Sequence, residues 1–297
     1  MTDAPSPPHA AVIVGSGAWH TLRGDDGFAL AGGEPRDTPF GPSRPVFTAR
    51  LPGGREVLLI TRHGEERYDV GAWSVAYRAN LWALKECGAD LVLATSAVGG
   101  IDPALAVGTF VVPHDILDKT TRRAKTFFDG TGLGVLRHAE PFCPSCRAAL
   151  VAALAEAGVS HAAQAVYVAT DGPRLETPAE VRAFGAEGAT VVGMTAAPEF
   201  ALARELEMCY APLCWVVNPA EGTRDRPYRP DVLFEGMATE AEQAAGDAAA
   251  AQAPGILAAA LERLDARRGC YCRRAMQRYR DEGRIGDDFR TWIAPRA

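Results

Sequence analysis

The sequence has too little positive charge for a nucleic-acid binder. Its 31 lysines and arginines face 37 aspartates and glutamates, which gives a net charge of -6 and a pI near 5.6. Binding a phosphate backbone needs a surplus of basic side chains to release counterions, so nucleic acid is not an expected partner. Long apolar runs are also missing. No stretch reaches the roughly 18 residues that a bilayer-spanning helix requires, so no membrane partner is expected. The opening residues, MTDAPSPPHA, have neither a basic start nor an apolar run, so no secretory leader is expected and the cytoplasm is the expected location. Several chemical signatures are absent. GSGAWH, residues 15 to 20, lacks the third glycine of a dinucleotide fingerprint, and no acid ends a second strand about 20 residues on. There is no P-loop, no GxSxG elbow and no HExxH pair. The seven cysteines include one CPSC (Cys143, Cys146) and one distant CYC (Cys270, Cys272). A zinc site more often shows two CxxC pairs or a histidine pair at ligand spacing. From spacing alone, free thiols in a reducing compartment and no metal are expected.

What is present is a long chain with a large apolar share: 297 residues, 47% of them hydrophobic. No composition break divides it, so one domain over residues 1–264 is expected, followed by an arginine-rich extension over 265–297. Short apolar runs that end in polar or glycine-rich turns read as buried strands: AAVIVGSG, REVLLITRHG, ADLVLATSAVGG, GTFVVP, AVYVATDGPR, ATVVGMT and CYAPLCWVVN. Between them lie helical patterns, over 74–88, 145–157, 177–188 and 197–206. An alanine-rich helix follows from about Met237 to Leu264. Thr177, Pro178 and Glu180 form a capping box with proline at the first helical position. This alternation predicts an α/β fold, a single domain with a mixed, largely parallel central sheet flanked by helices.

In such sheets ligands gather at the carboxyl ends of the strands. Here those ends carry GSG, TRHG, TSAVGG, TDGPR, GMT and VVN. Arg62 offers a charged fork for phosphate and His63 a further donor. Ser16, Ser96 and Thr195 add hydroxyls, and the glycines around them let backbone amides approach an anion. Taken singly, each reads as an ordinary turn residue. Their convergence on one edge is what predicts a site.

These residues, together with YRANLWALKECGAD, DKTTRRAKTFFDG, DGPRLETPAE, VVGMTAAPEFALARELEMCYA and VVNPAEG, carry a resemblance. The chain resembles the trimeric purine nucleoside phosphorylase and methylthioadenosine phosphorylase family, over residues 12 to 222. It is most similar to the bacterial methylthioinosine phosphorylase branch. The resemblance implies the nucleoside phosphorylase fold, a homotrimer, and phosphorolysis of a purine nucleoside to free base and pentose 1-phosphate. Inorganic phosphate is then the co-substrate, and no cofactor is needed. By position, Ser16, Arg62, His63, Ser96, Ala97 through its backbone, and Thr195 match the phosphate site. Met194 matches the ribose contact, with Val192 and Gly193 beside it. Glu176 and Asn218 match the pair that reads the base, and Leu175 sits near it. Some archaeal members end in a similar CxC and carry intrachain disulfides. Cys143 and Cys209 sit at matching places, so a bridge between them is implied.

The chemistry of the base follows from hydrogen-bond polarity. A 6-oxopurine presents a donor at N1–H and acceptors at O6 and N7, which suit a carboxylate and an asparagine amide respectively. Adenine reverses the pattern at N1 and position 6, and buried groups left unpaired reject it. The adenine-preferring branch carries aspartate where Asn218 stands and another acid where Ala220 stands. It has a small hydroxyl residue in place of Glu176. Hypoxanthine or guanine is therefore expected, with Asn218 as the catalytic donor to a purine that gains negative charge as the glycosidic bond breaks.

The chain departs from the family in EERYDVGAWSVAYRAN, which lacks the usual Pro-Pro-His element and has Ala76 in place of an asparagine. That loop helps close over the sugar, and Tyr68, Trp73 and His20 are the candidate substitutes. The segment 224–243, expected to line the 5′ pocket, also matches poorly. Two other readings therefore stand beside a 6-oxopurine phosphorylase: a phosphorylase for an adenine or 5′-modified nucleoside, and a non-catalytic purine-binding relative. The extension is expected to be a solvated helix that caps a neighbouring element.

Overall fold

The computed structural model describes residues 10–15, 18–22, 28–65, 68–226, 228, 238–265 and 269–293. Its strands in chain order are β1 (Ala10–Val14), β2 (Ala29–Glu34), β3 (Asp37–Thr38), β4 (Gly41–Pro42), β5 (Val46–Arg50), β6 (Glu56–Thr61), β7 (Leu91–Gly100), β8 (Phe110–Val111), β9 (Asp115–Asp118), β10 (His161–Ala162), β11 (Val166–Ala169), β12 (Val191–Gly193) and β13 (Cys209–Pro219). The helices are α1 (Trp19–Leu22), α2 (Tyr77–Glu86), α3 (Pro144–Glu156), α4 (Pro178–Ala186), α5 (Ala196–Glu205), α6 (Glu240–Glu262) and α7 (Gln277–Asp281).

The main sheet runs β10-β8-β13-β7-β1-β6-β5-β2. Its centre is parallel: β13 with β7, β7 with β1, and β1 with β6. The strands that read as continuous apolar runs are these central ones, buried on both faces. A branch of parallel strands, β9-β11-β12, joins the far end of β7 through an antiparallel pair, Val191 with Gly100 and Val192 with Gly99. The fold class expected from the sequence is therefore the one observed. The capping box of α4 is formed, with Thr177 accepting from the Glu180 N–H. An equivalent box starts α6 at Thr239 and Glu242.

The antiparallel ribbon of β2 and β5 was not readable from the sequence pattern. Strand β2 reads ALAGGE and is largely exposed, so it has no apolar alternation to announce it. The extension also differs from expectation. It is not one solvated helix but tight 3-10 turns, Cys272–Arg274 and Phe289–Thr291, around the short α7. Met276, Tyr279, Phe289 and Trp292 are buried in the same apolar cluster as α2 and β7. The Phe289 ring meets Trp82 of α2 edge-on at 5.0 Å, and Arg280 pairs with Glu207.

Candidate functional site

The carboxyl ends of β6, β1, β7 and β13 lie side by side in register and open into a cavity of about 830 Å3. Arg62 and His63 follow β6 directly, and the Arg62 N–H donates to the Val14 carbonyl at the end of β1. The Arg62 side chain is 1% exposed and makes a two-pronged ion pair with Glu199: Nε donates to Oε1 at 2.7 Å and Nη2 to Oε2 at 2.9 Å. Its Nη1 donates to the Thr95 carbonyl at 3.0 Å. Tyr210 donates its hydroxyl to Glu199 Oε2 at 2.7 Å. Burial works against the guanidinium charge, but Glu199 outweighs it and holds the Arg62 pKa above its ordinary value.

His63 hydrogen-bonds through Nδ1 to the Val70 carbonyl at 2.8 Å. A carbonyl can only accept, so Nδ1 carries the proton and Nε2 presents a lone pair while the ring is neutral. Burial, and then the Arg62 charge, push the His63 pKa down to about 4. Tyr68 stacks on this ring at 4.5 Å.

Ser96 belongs to β7, and Thr195 is the residue that precedes the first turn of α5. Their hydroxyls lie 3.2 Å apart. Tyr167 ties them together, with its hydroxyl 3.3 Å from Ser96 Oγ and accepting from the Thr195 N–H at 3.2 Å. Gly193 makes room for that hydroxyl, since any Cβ there would collide with it. The chain is extended at Ala197, so the α5 span is kinked just after Thr195 and its regular turns begin beyond that residue.

At the other end of the cavity, Glu176 accepts from the Thr170 hydroxyl through Oε1 at 2.6 Å. Asn218 reaches the cavity because β13 bulges. The β13–β7 register slips between Val216 and Asn218, so Val217 is extra and both Val217 and Asn218 line the cavity. In a regular strand these two neighbours would point to opposite faces. Asn218 Nδ2 donates to the Pro219 carbonyl at 2.7 Å. A Cβ on Gly99 would sit 3.1 Å from Val192 and 3.5 Å from this amide, so glycine lets the two strands close around it.

Of the residues singled out from the sequence, Arg62, His63, Ser96, Ala97, Leu175, Glu176, Val192, Gly193, Met194, Thr195 and Asn218 line this single cavity. Ser16 lies outside the described residues. Tyr68 and Trp73 line it too, as do Gln243, Gly246, Asp247 and Ala250 of α6. The side chain of His20, residue 227 and residues 229–237 of the poorly matching segment lie outside the described residues.

Three contributors escaped the sequence reading. Glu199 and Tyr167 act through Arg62 and through Ser96 and Thr195. Arg123 is 8% exposed and donates to four carbonyls around the site, those of Met194, Ala197, Thr170 and Asp171. The only sequence signals were an acid in the first turn after GMT and an arginine inside TTRRAKTFF. Neither spacing says what it touches.

The cysteines also differ from the implied pattern. All seven are free thiols, so Cys143 and Cys209 are not bridged. Their sulfurs instead belong to a larger group of four cysteines, three buried and one half-buried.

The comparison with known families and proteins now adds to this geometry. The model of the phosphorylase superfamily matches residues 10–262. A protein of Pseudomonas syringae pv. tomato named "Probable S-methyl-5'-thioinosine phosphorylase" is 44% identical over 71% of this chain and 85% of its own. The "6-oxopurine nucleoside phosphorylase" of Pyrococcus furiosus is 35% identical over 91% of this chain and 98% of its own. The solved structure of a methylthioadenosine phosphorylase from an antarctic soil metagenomic library superposes with a TM-score of 0.78, at 28% identity, covering 91% of each chain. On a family match that spans both ends of the cavity, this chain belongs to the phosphorylase superfamily.

Proposed function

We propose that this chain catalyses the phosphorolysis of a purine nucleoside and prefers a 6-oxopurine base. The observation that carries the reading is one cavity with two unlike ends: an arginine, an imidazole and two hydroxyls at one, a carboxyl and an amide at the other. A phosphate oxygen attacks C1′, the C1′–N9 bond breaks, and its electron pair stays with the purine, which then takes up a proton. The products are the free base and a pentose 1-phosphate.

Phosphate sits against Arg62, the Ser96 and Thr195 hydroxyls and the backbone of Ala97, and the resemblance adds Ser16 to this set. The Glu199 pair fixes the plane of the guanidinium before phosphate arrives, so little reorganisation is left for the reaction. A neutral His63 offers Nε2 as an acceptor to a protonated phosphate oxygen. Met194 contacts the ribose, with Val192 and Gly193 beside it. Glu176 accepts from N1–H, Leu175 flanks the base, and Asn218 donates to N7 or O6. That last bond strengthens as charge builds on the purine, so it favours the transition state over the ground state.

S-Methyl-5′-thioinosine is the favoured 5′-modified substrate. Trp73 approaches Met194 across Gly172, where an added Cβ would meet both, at 2.7 Å from the Met194 sulfur and 3.8 Å from the indole. Tyr68 lies over His63. Two aromatic faces therefore flank the ribose position, and they suit an apolar 5′ group. The homotrimer is part of the same proposal. It predicts a particle of three times the 31.5 kDa chain in light scattering.

The test is to incubate inosine and methylthioinosine with the chain, with and without phosphate, and to follow 31P resonances. A pentose 1-phosphate signal growing in step with hypoxanthine supports the reading. Base released without phosphate, or no ester formed, defeats it. The latter result would favour a purine-binding role.

A further inference from the structure

Four cysteines far apart in sequence come together away from the cavity. Cys143 precedes the first turn of α3, Cys209 opens β13, and Cys270 and Cys272 flank Tyr271 in the extension. Their four sulfurs all lie within 4.8 Å of one another, and those of Cys209 and Cys270 are 3.4 Å apart. Cys143, Cys209 and Cys272 are buried to 1% exposure or less, and Cys270 is half-buried. Four thiolates at about 2.3 Å from a tetrahedral zinc ion stand about 3.8 Å from one another. The cluster is thus close to the size of a closed four-sulfur site and needs only small side-chain movements to reach it. No other carboxylate or histidine belongs to the group among the described residues. A pure sulfur set of this shape selects a soft tetrahedral ion.

We propose that Cys143, Cys209, Cys270 and Cys272 form a structural zinc site that fastens the C-terminal extension to the phosphorylase domain. Binding replaces four S–H protons with one divalent ion and releases them to solvent. Two ligands come from the domain and two from the extension, so the ion staples one to the other. What the staple holds in place is visible downstream. The Met276 N–H and Arg280 both bond to Glu207, the middle residue of the three between α5 and β13. Phe289 and Trp292 close over α2. The chain bends at Tyr271, which precedes the 3-10 turn Cys272–Arg274, and the sulfurs on either side of it both lie in the cluster.

The site is tested on the full chain, produced with zinc in the medium and purified without chelators under reducing conditions. Elemental analysis should find about one zinc per chain, released in step with a mercurial reagent. Mass spectrometry after alkylation should show these four thiols protected until the zinc leaves. The C270S/C272S double variant should lose the zinc, whereas Cys87→Ser, whose thiol lies outside the cluster, should keep it. Because the double variant can fail to fold, the unaltered chain reloaded with cobalt gives an independent reading. Sulfur-to-cobalt charge-transfer bands together with intense tetrahedral d–d bands are expected. Zinc well below one per chain with all seven thiols alkylated at similar rates would overturn the proposal. So would recovery of these cysteines as disulfides, or cobalt bands of octahedral type.

Discussion

The two ends of the cavity are built differently. At the proposed phosphate end the described polar groups are tied to partners outside the set: Arg62 to Glu199, which also accepts from Tyr210, Ser96 and Thr195 to Tyr167, and His63 to the carbonyl of half-buried Val70. At the proposed base end Glu176 accepts from the Thr170 hydroxyl and Asn218 donates to the Pro219 carbonyl, and neither bond involves a buried ion pair. The comparison teaches a division of labour. The proposed anion end is centred on a buried ion pair, Arg62 with Glu199, whereas the proposed choice of base rests on two side chains at a strand bulge and a loop. The reaction should therefore be hard to alter and the base preference comparatively easy.

Breaking the phosphate end should give the largest effect. Glu199→Ala leaves the buried Arg62 charge without its partner, and such a loss costs about 3–5 kcal/mol of stability. Denaturant unfolding should show it, with a steep fall in kcat/KM for phosphate in whatever protein remains folded. An unchanged unfolding free energy would mean that the Arg62 network is not the frame of that end.

Asn218→Asp comes next. It removes the donor to the purine and should lower kcat for inosine by about 10²–10³, the usual cost of one preorganised donor. The KM for phosphate should stay near its original value, because no phosphate-end contact has changed. A variant that lost phosphate affinity instead would erase the distinction between the two ends.

His63 sharpens the comparison through pH. Its folded pKa, about 4, lies below its ordinary value of 6.5. The unfolded chain therefore takes up a proton that the folded chain refuses. The stability tied to this neutral ring is fully present above pH 6.5 and declines as pH falls towards 4. Titration of the His63 ring by NMR should give a low pKa in the free protein, and added phosphate should raise it. Hypoxanthine alone should not move it, and a shift with hypoxanthine would link the two ends.

The smallest effect is expected from Tyr167→Phe, which removes one hydroxyl from Ser96 and Thr195. The loss should be about 1 kcal/mol, seen as a several-fold rise in the KM for phosphate with base selectivity retained. An altered hypoxanthine-to-adenine ratio would count against the assignment of Tyr167 to the phosphate end.

Much of this architecture could be read from local pattern. The central strands are buried on both faces, so runs such as AAVIV and LVLAT stand out. Glycine and polar residues punctuate their ends at the cavity. What could not be read depends on tertiary meeting. Nothing near Arg62 in sequence points to Glu199, 137 residues away. Nothing in TTRRAKTFF says that Arg123 clamps four carbonyls. The bulge that turns Asn218 inward is invisible in VVNPAEG, because alternation alone assigns Val217 and Asn218 to opposite faces. The cysteines make the same point. Counted along the chain they are one CxxC and a CxC, and only the fold brings Cys143, Cys209, Cys270 and Cys272 together.

The most direct test of the account is base selectivity in one competition experiment. Methylthioinosine and methylthioadenosine at equal concentration would be offered to the unaltered chain and to Asn218→Asp, with saturating phosphate, and the released bases measured. The account predicts that hypoxanthine greatly exceeds adenine for the unaltered chain and that the ratio falls sharply in the variant. Adenine release equal to or above hypoxanthine release by the unaltered chain would contradict it.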